Sequence, residues 1–250
     1  MQTRTAKVAL LAERAQTVKK YGTATPRYWG LEAPGVQLRT AARNAIALTF
    51  DCCGGPGGSR VDRDLLDFLE RHDVAATFFL NYRWLHANKR TARRLITNPL
   101  FEIANHGSAH RPMSVNGKSA YGIAGTRDVG ACFDEVSINQ EYLAGLLPKP
   151  PRYFRPGTAF FDDVAVEVTR SMGLLAAGFS VNGDGGATFP APTVAAQVSK
   201  AVAGDIVIAH ANHPSAGTAD GIKTAVPVLR RRGLGFIRLS DAAPAPPSNL

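Results

Sequence analysis

The chain has 250 residues, 45% of them hydrophobic and 20% charged, which fits a globular protein able to bury a sizeable core and is read here as one domain. Its formal charge of +9 favours acidic partners such as wall polymers or anionic headgroups. No feature selects nucleic acid, because the densest basic clusters, Arg93-Arg94 and Arg230-Arg231-Arg232, read as solvated helix ends. Cys52, Cys53 and Cys132 exclude a disulfide framework. The apolar run within Met1–Arg14 is too short for a signal-peptide core, and no window is long and apolar enough for a transmembrane helix. The expectation is therefore a soluble, cytoplasmic protein, secreted only if a leader has been removed.

Residues 1–44 read as an N-terminal extension packed on the domain: a basic helix, then an irregular segment holding Pro26, Trp29, Pro34 and Gly35. The domain proper spans 45–241. Ala45–Phe50 is a short apolar run ended by the glycine-rich turn Gly54–Gly58, as expected of a strand buried on both faces. Helical spacing follows over Asp62–His72, a strand over Val74–Leu80, a helix over Leu85–Ile96 stopped by Pro99, and a strand over Leu100–Asn105. A glycine- and serine-rich loop then leads to a helix over Val129–Leu146 and a strand at Tyr153-Phe154-Arg155. Asp163–Ser171, Ala191–Val202 and Gly221–Arg232 read as helices, the last broken early by Pro227. Leu174–Phe179, Asp205–His210 and Gly235–Leu239 read as strands, and 242–250 as a disordered tail. Strands alternating with helices at this spacing imply parallel βαβ units, which either an open doubly wound sheet or a barrel satisfies.

His106 and His110 stand four residues apart just after one of these strands. If a turn or helix starts after Asn105, both rings project to one side and can share a metal ion. In parallel α/β folds reactive groups collect at the carboxyl ends of the strands. Asp51, His106, Arg155, Asp184 and His210 all follow that rule, so five polar groups from separate strands can face one cleft. A carboxylate, imidazoles and a guanidinium around a cation suffice for metal-assisted hydrolysis. Trp29, Trp84, Tyr82 and Phe160 are candidates for stacking on sugar faces, although aromatics beside strand ends more often serve packing.

Five segments, Thr49-Phe50-Asp51, Ala76–Leu80, Glu102–His110, Phe154-Arg155-Pro156 and Ile206–His210, fall in the order found in the polysaccharide deacetylases with the NodB-homology domain, the family-four carbohydrate esterases, which the chain resembles over roughly 45–240. The resemblance implies a distorted (β/α) barrel, a divalent metal that is usually zinc, and hydrolysis of N-acetyl groups on amino-sugar polymers. It would make Asp51 the general base, His106 and His110 metal ligands, and His210 the general acid toward the departing amine. Arg155 would hold Asp51 ionised and in place, and Asp184 would orient or tune His210.

Three positions depart from the family pattern. Cys52 stands where a second aspartate normally supplies the third metal ligand. Cys52 itself as thiolate ligand is the first expectation. The alternatives are Cys53 if the turn is re-routed, Asp51 as a ligand, or a weakened or lost metal site. Gly185 replaces the aromatic that usually follows Asp184, and Gly157-Thr158 replaces a proline or glycine before a tyrosine, so the acyl groove is expected to be reshaped. The expected substrate is an N-acyl, first of all N-acetyl, amino-sugar polymer or oligosaccharide. The alternatives are a cytoplasmic hydrolase of the same fold acting on a small amide, imide or lipid-linked sugar, and a non-catalytic glycan-binding relic.

Overall fold

The computed structural model describes residues 4–245. An opening helix α1 (Arg4–Tyr21) leads to the short strand β1 (Trp29–Gly30). The first long strand, β2 (Ala45–Cys52), is followed by α2 (Arg63–Arg71), β3 (Ala76–Leu80), α3 (Tyr82–Ala87), α4 (Lys89–Thr97) and β4 (Phe101–Asn105). Then come α5 (Val129–Ala144), β5 (Tyr153–Phe154), β6 (Phe161–Asp162), α6 (Asp163–Ser171) and β7 (Leu175–Ala176). The last part runs through β8 (Val181–Asn182), α7 (Ala191–Ser199), β9 (Ile206–His210), α8 (Thr218–Arg231) and β10 (Gly235–Ile237).

The sheet is parallel throughout, in the order β7-β5-β4-β3-β2-β9-β8, with β10 paired to the start of β2. Its two edge strands, β7 and β8, are consecutive in the chain, so the sheet curls into the distorted barrel expected from sequence. Gln37 pairs in parallel with Ala177 beside β7. Residues of β2 alternate strictly between two cores. Ile46, Leu48, Phe50 and Cys52 face an outer layer with Leu65, Leu69, Ile222 and Leu229 of α2 and α8. Ala47 faces inward with Phe79, Ala104, Tyr153, Ala177 and Ile206, where three alanines leave room for two large rings. Thr49 and Asp51 continue that inner face, so the barrel interior turns from apolar to polar toward the carboxyl ends of the strands.

Several elements differ from expectation. The helix expected over Leu85–Ile96 is two helices, broken at Asn88, whose side-chain amide donates to the carbonyls of Ser59 and Trp84. Helix α8 continues through Pro227, because burial of Ile222, Ala225, Val226 and Leu229 outweighs the hydrogen bond proline cannot donate. The segment expected as one strand over Leu174–Phe179 holds only β7, and the chain then crosses to β8 on the other edge. In the expected tail, Pro244 bridges Thr40, and Ala243 and Ala245 bond the backbone of Ala41 and Arg39. Residues 246–250 of that tail, and 1–3 of the extension, lie outside the described residues. Helix α1 rests on α5 and α6, with Arg14 donating to both carboxylate oxygens of Asp134 at 2.7 and 2.9 Å. Among the described residues no helix is long and apolar enough to cross a membrane.

Candidate active site

Parallel register sets the functional side chains level with one another. Asp51 pairs with His210 across β2 and β9, and Asn105, just before His106, pairs with Phe154, just before Arg155. The two-residue period of β2 then decides between the adjacent cysteines. Asp51 points inward, so Cys52 points outward, fully buried in the outer core with Phe50, Leu65 and Trp84. Burial there pushes its thiol pKa well above the ordinary value. The expectation of Cys52 as metal ligand is therefore corrected. Cys53, the next residue, returns to the side of Asp51, where a tight turn closed by Gly54 N–H donating to the Gly58 carbonyl (3.0 Å) takes over from the strand. A Cβ on Gly54, at φ +71°, would lie 2.6 Å from the Trp84 amide nitrogen, so only glycine lets the turn seat there.

The ligand atoms of Cys53, His106 and His110 all lie within 4.8 Å of one another. Cys53 Sγ is 3.7 Å from His106 Nε2. A tetrahedral zinc holding sulfur and nitrogen at ordinary bond lengths separates them by about 3.6 Å, so this donor set fits that ion. His106 Nδ1 donates to the Arg155 carbonyl at 2.7 Å, which leaves the Nε2 lone pair facing Cys53 and Asp51. Burial opposes ionisation of Cys53, but the His110 ring, and then His106 and His210, outweigh it and bring the thiol pKa well below its ordinary value.

The histidine loop is a turn and not a helix. Gly107 and His110 take φ of +75° and +59°, and Gly157 permits the approach, since a Cβ there would meet the His110 carbonyl oxygen at 2.2 Å. Glu135 of α5, 4% exposed, holds the loop from beneath: its carboxylate accepts from the amides of Ala109 (3.0 Å) and Arg111 (3.2 Å) and from the Ser108 hydroxyl (2.9 Å). Asn81 donates to the carbonyls of His106 and Gly107, and Asn105 accepts from the Gly107 amide. The sequence reading missed this support. Its signal was present, because Glu135 and Asn139 share a helical stripe with Cys132 and Leu143, and polar groups on a buried face call for partners. Glu135→Ala strands two amides and a hydroxyl. It is expected to cost about 1–3 kcal/mol in thermal unfolding and to weaken metal affinity roughly 10–100-fold in a chelator competition. Unchanged metal affinity would show that the loop holds itself.

Asp51, 3% exposed, accepts from Arg155 Nη1 at 2.9 Å, and its other oxygen lies 3.7 Å from His106 Nε2. Arg155 is fully buried, donates also to Thr49 Oγ1 (2.9 Å) and the Gly178 carbonyl (2.7 Å), and lies over the Phe79 ring. His210 Nδ1, in turn, pairs with Asp184 Oδ1 at 2.9 Å. The second Asp184 oxygen accepts from the His210 amide (2.7 Å) and the Thr218 hydroxyl (2.9 Å). Burial opposes the His210 charge, but Asp184 overrides it and raises the His210 pKa well above the ordinary value. Burial likewise works against the Asp184 carboxylate, yet His210 and Thr218 bring its pKa below the ordinary range.

These groups open into a cavity of about 840 Å³, the size of a small-molecule site. Asp51, Cys53, His110 and His210 are among its polar groups, together with Arg83, Asn182 and Thr188, and Leu31, Tyr121, Ile123, Phe179, Phe189 and Ile208 form apolar walls. The missing aromatic after Asp184 is replaced in space. A Cβ on Gly185 would lie 2.4 Å from the Phe189 ring, which occupies the room a side chain there would need. Thr158 also lines the cavity, in a left-handed conformation at φ +69°. His213 lines it 6.5 Å from the His210 ring and does not join the Cys53 group. Of the aromatics considered for sugar stacking, Trp84 is buried with its indole N–H on the Arg60 carbonyl, and Tyr82 packs on His86 and Tyr142. Trp29 and Phe160 lie together, 5.5 Å apart.

The curled parallel sheet thus carries a Cys-His-His cluster and two ion pairs, Asp51–Arg155 and Asp184–His210, at the carboxyl ends of its strands. The polysaccharide deacetylase family model matches residues 39–177, more than half of the chain, and the protein belongs to that family. The match ends before Asp184 and His210. A wild-type family-four carbohydrate esterase pseudoenzyme of Bacillus anthracis superposes with a TM-score of 0.69 at 22% identity, covering 84% of this chain and 69% of that one. A family 4 carbohydrate esterase of Bacillus subtilis gives 0.65 at 21% identity over 91% and 87% of the two chains. The chitin deacetylase of Colletotrichum lindemuthianum gives 0.67 at 20% over 85% and 92%. Among curated proteins, the uncharacterized protein YlxY of Bacillus subtilis is 22% identical over 171 residues, 68% of this chain, which spans half of that relative's length.

Proposed function

We propose that the protein is a metal-dependent hydrolase that removes N-acyl groups, acetyl first among them, from an amino-sugar polymer or oligosaccharide. The observation that carries this reading is the convergence of Cys53, His106 and His110 with the Asp51–Arg155 and His210–Asp184 pairs at the end of one apolar-walled cavity. Cys53, His106 and His110 would hold the cation. When bound, zinc supplies Lewis acidity to an amide carbonyl and makes its water a stronger acid.

Asp51, fixed by Arg155, takes the proton of the attacking water as its oxygen bonds to the acyl carbon. His210, protonated beside Asp184, gives its proton to the nitrogen as the C–N bond breaks, so that a carboxylic acid and a free amine leave. Asp51 and His210 are register partners on the neighbouring strands β2 and β9, and this closeness supports their acting as base and acid on one substrate. Release of acetate from N-acetylglucosamine oligomers and peptidoglycan fragments, compared with a panel of small amides, tests the reading. Turnover of the glycans lost on chelation and restored by zinc is expected. Hydrolysis confined to small amides, or none on any substrate, would overturn it.

The same pair predicts a pH signature. The acid form of His210 persists above the ordinary histidine value of about 6.5 and is lost as pH rises through its raised value, so activity falls on the alkaline side. Asp184→Asn removes the main force holding that proton. The alkaline limb of kcat/KM should then move to lower pH, and a limb that stays in place would separate His210 from the proton transfer.

A further inference from the structure

Single apolar side chains at a protein surface need no explanation, but a line of them along one helix does. On α1, Val8 is 61% exposed, Leu11 57% and Val18 36%, and Ala15 between them is exposed as well. At about 100° per residue these four fall within an arc of roughly 80°, over about 15 Å of helix. They form one stripe, and it is not the face that holds α1 to the domain. That face carries the buried Thr17, Tyr21 packed on core residues of α5 and α6, and Arg14 paired with Asp134. A surface helix turns its apolar residues toward the domain it packs on, whereas α1 turns these four away.

Charge decides what fits the stripe. Lys7 and Lys19, both exposed, border it on its two sides and make no ion pair among the described residues. Glu13, the one acidic residue of α1, falls on the opposite side of the helix. A second copy of the chain would set lysine against lysine, because residues flanking the seam of a helix pair face each other. An anionic bilayer satisfies both features: the apolar residues enter the headgroup boundary, and the lysines meet lipid phosphates. The net charge of +9 draws the whole molecule the same way.

We propose that α1 is an interfacial helix that docks the protein on an anionic phospholipid bilayer, lying along the surface with Val8, Leu11, Ala15 and Val18 inserted. Docking needs neither metal nor turnover, so it stands or falls apart from the hydrolase reading. The test is co-sedimentation of the full chain with vesicles of phosphatidylcholine alone, or with roughly one third phosphatidylglycerol. Partition is expected to be at least about tenfold stronger on the anionic vesicles and to weaken as salt is raised. Leu11→Gln with Val18→Gln leaves the charge unchanged and keeps good helix formers. It should lower that partition about tenfold or more with no fall in thermal midpoint. Lys7→Gln with Lys19→Gln should lower it comparably. Arg90→Gln with Arg93→Gln, which removes the same charge from exposed positions of α4, should leave most of it.

Equal partition on both vesicles, no partition on either, binding undiminished by the Leu11 and Val18 substitutions, or an equal loss from the α4 substitutions would each overturn the proposal. A concentration-dependent dimer that the Leu11 and Val18 substitutions dissolve, without vesicle binding, would overturn it too and give the stripe to a second copy.

Discussion

Asp51→Asn is expected to lower acetate release by roughly 10²–10⁴-fold, the range a positioned general base contributes, while zinc affinity stays near that of the unsubstituted protein. The side chain keeps its shape, and the Cys53, His106 and His110 donors are untouched. Arg155 also keeps Thr49 Oγ1 and the Gly178 carbonyl as partners, so its buried guanidinium is not left alone. Zinc competition and a thermal melt on the same preparation separate lost chemistry from lost structure. Hydrolysis unchanged in both Asp51→Asn and His106→Ala would sink the assignment of the whole site.

The second large effect separates two neighbouring cysteines. Cys53→Ala is expected to weaken zinc binding by more than the roughly 10–100-fold that loss of an outer supporting partner costs. It should also abolish the near-ultraviolet thiolate-to-metal band of the cobalt-substituted protein. Cys52→Ser should leave that band intact and instead destabilise the fold by about 1–3 kcal/mol, because it buries a hydroxyl in an apolar layer. A band lost in Cys52→Ser and kept in Cys53→Ala would reverse the ligand assignment. A soft thiolate in the donor set also predicts preference for zinc over magnesium or calcium, readable by competition on the same band.

Much of the site was legible because its parts follow local rules. Asp51, His106, Arg155 and His210 each stand at the end of a strand-like run, and a parallel sheet collects such ends on one side. The strict alternation of β2 was legible too, and applying it to Asp51 and Cys52 would have turned Cys52 outward from sequence alone. Helix α2 was readable from Asp62, whose carboxylate caps the Leu65 amide at 3.0 Å, and from its apolar stripe. The break at Asn88 was not, since it depends on a hydrogen bond to Ser59, 29 residues earlier.

Local pattern, in short-range terms of strand period, helix stripe and turn residues, was enough to set most of the elements, the parallel α/β class and the ordered strand-end residues. Tertiary structure alone decided that Cys53 reaches the histidines, because the path of the turn after Cys52 depends on Trp84 and Gly58 packing against it. It alone placed Glu135 beneath the histidine loop and Phe189 in the room left at Gly185. It also joined Trp29, Phe160 and Tyr121 into one row. Each of these depends on contacts between groups far apart in the chain, whose geometry no local periodicity encodes.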